Sequence, residues 1–143
     1  MKVVFDNKAY YIQKFGGVSV LFKELHERVL KDINVECKFV EYGEGGNSYQ
    51  ESLGIPHNMI IPKSSSFFNL KRLLPVVLKE DEPFIFHSTY FSYCSNKNAI
   101  NVNTILDFIE HRVGNGFGSM MRSSFQNFII GKSDMNVCIS HST

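Results

Sequence analysis

Short apolar runs alternate with helical stripes along this chain. Val3-Val4-Phe5 ends at Asp6-Asn7, a polar and aromatic loop runs from Lys8 to Phe15, and Gly16-Gly17 follow. Val18, Leu21, Phe22, Leu25 and Val29 then recur at helical spacing, so Met1–Leu30 reads as strand, glycine turn and helix. Glu24 with Arg28, and Glu27 with Lys31, stand four apart on the solvent face of that helix, where His26 reads as a solvated residue. Val35, Cys37 and Phe39 alternate with polar neighbours, which predicts a half-exposed strand nearer the sheet edge than the first. Glu41 to Gly54 is polar and glycine-bearing, a loop with a short helix around Tyr49–Leu53. Met59-Ile60-Ile61 predicts a third strand ended by Pro62. Asn69 caps a predicted helix through Leu70, Leu73, Leu74, Val77 and Leu78, kinked or split at Pro75.

Phe84-Ile85-Phe86 predicts a buried strand that delivers His87-Ser88-Thr89-Tyr90, and Ile100 to Leu106 another that delivers Asp107. Phe117, Met120, Met121, Phe125, Phe128 and Ile129 form a helical stripe, read as core or interdomain packing and ended by Gly131. Met135 to Ile139 is the last strand, delivering Ser140. Strands alternating with helices predict an α/β fold: a Rossmann-like parallel sheet with helices on both faces, a single domain over residues 1–143. Ligands of such sheets bind beyond the carboxyl ends of the strands. Asn7, His87, Asp107 and Ser140 are expected to share one rim there.

Composition narrows the chemistry. A formal net charge of +1 gives no reason to expect nucleic acid as a partner. No apolar run approaches the ~20 residues of a membrane span, and no signal peptide precedes the first strand. Cys37, Cys94 and Cys138 are isolated, which points to reduced thiols in the cytoplasm. Neither GxGxxG nor GxxxxGK[ST] occurs, and no His/Cys/Asp/Glu grouping has metal-ligand spacing, so no metal or other cofactor is expected. Glycines at a helix mouth let backbone approach a ligand closely, and free amides there attract anions. Gly16 and Gly17 are therefore candidates for phosphate proximity, against the reading of a plain tight turn.

Four segments carry a resemblance. Val4-Phe5-Asp6-Asn7 with Gln13, Gly16-Gly17-Val18-Ser19, Phe22 and Leu25 is similar to the opening of family 4 retaining glycosyltransferases. Phe86 to Tyr90 resembles their "FHSSY" segment, Thr104 to Glu110 their "TVHDFTYE", and Cys138 to Thr143 their "ICISExT". The resemblance implies the acceptor-side half of a two-domain GT-B enzyme. Its donor-binding C-terminal half, with an E-x7-E carboxylate pair, would lie outside this chain, and the isolated domain would be inactive. It implies transfer of a hexose from a nucleotide-sugar to a glycan or lipid-linked acceptor hydroxyl, in the cytoplasm, with peripheral contact at the inner membrane face. Lys71 and Arg72 offer a basic contact for that surface or an anionic acceptor, beside the reading of a solvated helix face.

On that resemblance Asp107 and His87 are the candidate catalytic residues, and Gly16 and Gly17 lie near the donor phosphate. Asn7, Tyr10, Ser88, Tyr90 and Glu110 face the acceptor, the tyrosines by stacking on sugar rings. Retention needs no strong protein base, so Asp107 would orient the acceptor hydroxyl or take its proton late. Leu106 stands where the family has histidine, and leucine cannot hydrogen-bond a hydroxyl. Either Leu106 is core while Asp107 or His111 serves the polar role, or sugar preference or activity has changed. The alternative from another class is a stand-alone Rossmann- or flavodoxin-like binding module without transferase activity.

Overall fold

The structure, a computed structural model, describes residues 1–13, 15–43, 48–64, 66, 73–106 and 117–139. Its sheet is all-parallel: β1 (Lys2–Asp6), β2 (Glu36–Tyr42), β3 (Ile60–Lys63), β4 (Phe84–Ser88), β5 (Ala99–Ile105) and β6 (Met135–Cys138), in the order β3-β2-β1-β4-β5-β6. This is the doubly wound Rossmann order, which reverses direction between β1 and β4. The α/β reading of the sequence therefore holds. Pro62 is tolerated because β3 is an edge strand.

The pleat sorts side chains onto two faces. Val3, Phe5, Cys37 and Phe39 lie under Leu25, Val29 and Leu30 of helix α2 (Gly17–Lys31). On the other face Val4, Val40, Phe84 and Phe86 pack with Val76, Leu78 and Cys94. Asn103 of β5 donates there to Ser133, just past helix α4 (Phe117–Lys132; the short α3 is Ser48–Glu51), at 2.7 Å.

Four local expectations are corrected. Residues of the expected loop Lys8–Phe15 form a short helix, α1 (Lys8–Ile12), because Ala9 and Tyr10 are buried against Phe22. The described part of the expected helix Asn69–Leu78 is not helical. Pro75 lacks the N–H a helix needs, and Val76 instead bridges Cys94 in parallel, with Val76 and Leu78 buried at period two. Residues 67–72, including Lys71 and Arg72, lie outside the described residues. Gly131 sits inside α4 rather than ending it. Along α4, Ile129 is buried but Met120, Met121 and Phe128 are exposed, so the stripe is only partly packed.

The two glycines before α2 differ. Gly16 has φ 149° and ψ 172°, a region open essentially to glycine alone, while Gly17 is helical with open space where a Cβ would stand. Gly16→Ala is expected to cost about 1–3 kcal/mol. Gly17→Ala should stabilise by about 0.5–1 kcal/mol through lower chain entropy. Equal effects in urea unfolding would refute this assignment.

Candidate functional site

At the junction of β1 and β4 the chain encloses a set of polar groups. β1 ends on Asp6, fully buried, whose Oδ1 accepts from the Thr89 amide (2.9 Å) and the Thr89 hydroxyl (2.5 Å). Asn7 follows, and its Oδ1 accepts from the Tyr42 amide at 3.0 Å. Lys8 is as buried as Asp6. Its Nζ donates to Ser92 Oγ at 2.7 Å and stands 5.6 Å from the Tyr42 ring centre. Burial pushes the Asp6 carboxyl above its usual range, against the pull of Lys8, and pushes the Lys8 ammonium below its own. Thr89 Oγ1 also accepts from the Ala9 amide at 3.0 Å, so the segment after β4 is tied to α1.

On the α2 side of the sheet lie two histidines. His87 is half-buried at the carboxyl end of β4. Its Nε2 shares a 2.8 Å hydrogen bond with Thr104, and its ring lies 5.3 Å from Phe5 and 6.0 Å from Phe22. Burial lowers its pKa to about 4, so it is uncharged at neutral pH. His26, expected in solvent, is instead fully buried, with its ring 4.4 Å from Phe5 and Nδ1 3.1 Å from the Tyr10 hydroxyl. Burial first, and then the charge of His87, hold its pKa near about 3. Leu106 packs against the Ala9, Tyr10 and Phe22 cluster, which makes it hydrocarbon packing.

Of the expected rim, Asn7 and His87 fall among the described residues. Asn7, Tyr10 and Ser88 are enclosed. Asn7 ties to β2, Tyr10 is core with its hydroxyl on His26, and Ser88 Oγ accepts from the Tyr90 amide at 3.2 Å. None of the three presents a side chain to solvent, because the 88–92 segment and α1 close over the strand ends. His87 and Tyr90 are half-open, Gly16 half-open and Gly17 exposed, and the N-cap of α2, Gly16, has no side chain with which to cap the first amides. Asp107, Glu110, His111 and Ser140 lie outside the described residues.

Sequence reasoning missed Lys8, Thr89 and Ser92. A lysine two residues past a strand ordinarily points to water, so no local signal marks it. An open cleft of about 540 Å³ lies at the opposite, amino-terminal end of the strands, lined by Met1, Lys2, Glu36, Glu80, Asp81 and Glu82, with Lys2 ion-paired to Glu80. Its lining is open and mostly acidic. Among the described residues no group of His, Cys, Asp and Glu could hold a metal ion, and no helix is long and apolar enough to cross a membrane. No family model, curated protein or solved structure matches the chain.

Proposed function

We propose that this chain is the acceptor-side domain of a retaining, family 4-like glycosyltransferase, transferring a hexose from a nucleotide-sugar to a glycan or lipid-linked hydroxyl. One observation carries the reading: His87, in the Phe86–Tyr90 run, stands half-open at the carboxyl end of β4, next to the strand-order reversal where such sheets take ligands. Its Nε2 is engaged by Thr104, and the described residues give Nδ1 no hydrogen-bond partner. An imidazole kept neutral by burial is a hydrogen-bonding group at pH 7, not a proton donor. His87 therefore positions a substrate hydroxyl. The start of α2, with the side-chain-free Gly16 and Gly17, supplies amides that favour a phosphate. Asp107 and Glu110 keep their proposed roles at the acceptor, and the donor carboxylates belong to a second domain.

The test uses the native gene product that contains this chain. It is incubated with uridine, guanosine and adenosine diphosphate hexoses and with oligosaccharide or lipid-linked acceptors, and nucleotide release is followed. His87→Ala is expected to lower kcat/KM by about ten- to a hundredfold, the worth of one or two hydrogen bonds to substrate. The 143-residue chain alone should release none. Absence of turnover with every donor would favour the second reading, a Rossmann-like binding module. The enclosure of Asn7, Tyr10 and Ser88 is the observation on that side.

A further inference from the structure

We propose that the enclosed polar groups at the β1–β4 junction are an occluded binding site for a neutral vicinal diol, such as a sugar or cyclitol presents, and that Thr89–Ser92 is the strap over it. Two polar atoms there lack partners. Asp6 Oδ2 and Asn7 Nδ2 are buried with no hydrogen bond, on residues that are respectively 0% and 2% exposed. Buried groups normally find partners, and an orphan signals strain or a missing bound species. One orphan is an acceptor and the other a donor, and a hydroxyl, which donates once and accepts twice, can complement either.

The strap already imitates such a ligand. The Thr89 hydroxyl donates to Asp6 Oδ1 while accepting from the Ala9 amide. A diol displacing it would place one hydroxyl on Oδ1 and the adjacent one on Oδ2, the fit of two neighbouring donors to one carboxylate. Lys8, released from Ser92, would donate to the same ring. Asp6 and Lys8 together are neutral, so a phosphate or an amine meets a like charge beside each opposite one and pays its own desolvation, which favours a neutral ligand. Within the strap, Phe91 has φ 31°, the left-handed region that side chains such as phenylalanine avoid. Strain there lowers the free-energy gap between the closed and lifted strap. The site rests on Asp6 and Lys8 and not on the transferase reading. Should that reading hold, it is where an acceptor ring docks.

The experiment titrates the 143-residue chain with myo-inositol and with glucose, without donor, up to about 50 mM, a range that captures millimolar binding. The Asp6 carboxyl carbon and the Asn7 side-chain amide are followed by NMR, with inorganic phosphate and ethylammonium as controls. Saturable shifts are expected with a diol and with neither control. Thr89→Val, which removes the competing hydroxyl, is expected to bind the diol about tenfold tighter, through a larger population of lifted strap. Absence of saturable shifts with both diols overturns the proposal and leaves a trapped water as the partner of the orphans. Saturation by phosphate overturns it equally. Were Thr89→Val to misfold, the wild-type titration decides alone. Nucleotide release is measured separately, so loss of diol binding and loss of transfer are read apart.

Discussion

Lys8→Met is expected to destabilise the fold by about 3–5 kcal/mol, the range for breaking one half of a buried charge pair. Lys8 and Asp6 are both fully buried, and each opposes the desolvation of the other. Removing the ammonium leaves the Asp6 carboxylate with its Thr89 bonds, one orphaned oxygen and no cation. Asp6→Asn removes the other charge, strands Lys8 and should cost a similar amount. Asp6→Asn with Lys8→Met should cost clearly less than the sum of the two, because no lone charge remains buried. Urea unfolding of the four proteins completes the cycle. Additive losses, or single variants within about 0.5 kcal/mol of wild type, as for surface sites, would show that the pair is not coupled.

Acid should unfold this protein at a pH where most domains are stable. Unfolded histidine takes up a proton near pH 6.5. In the fold His26 stays neutral to about 3 and His87 to about 4, both through burial. Between pH 6.5 and those values the unfolded chain therefore binds more protons, and stability falls as pH falls. Each histidine contributes about 1.4 kcal/mol per pH unit across that window. The raised Asp6 carboxyl opposes this fall at the acid end, because there the fold holds the extra proton, while the lowered Lys8 ammonium acts on the alkaline side. Urea midpoints at pH 7, 6 and 5 should drop steeply, and His87→Gln should flatten the slope by about one proton. A midpoint that holds steady from pH 7 to 5 would sink the assignment of a buried His26 and a half-buried His87 that both stay neutral.

The fate of His26 shows how far local pattern carries. It lies four residues after Phe22 and three before Val29, on the same stripe of α2, so its burial was open to a periodicity reading. Leu21, counted in that stripe, is 39% exposed. The charged neighbours Glu24, Glu27 and Arg28 drew the residue toward solvent in the one-dimensional view. In the structure Arg28 pairs with Glu24 as the spacing predicts, while Glu27 pairs with Lys23 instead of Lys31. Tyr10 shows the same error. An aromatic residue in a polar stretch reads as a surface stacker, and its burial follows from α1 folding back onto Phe22.

Apolar runs separated by helical stripes were sufficient for the parallel α/β sheet and for the positions of its six strands, because strand and helix periods are local properties of the chain. The carboxyl ends of those strands could likewise be read as the place where polar residues gather. Which of those residues meet was decided by contacts that cross long stretches of sequence. Asp6 reaches Thr89, Lys8 reaches Ser92, and Asn7 holds the Tyr42 amide. Burial of a lysine or an aspartate depends on a partner brought from another strand, and no spacing along the chain encodes that partner.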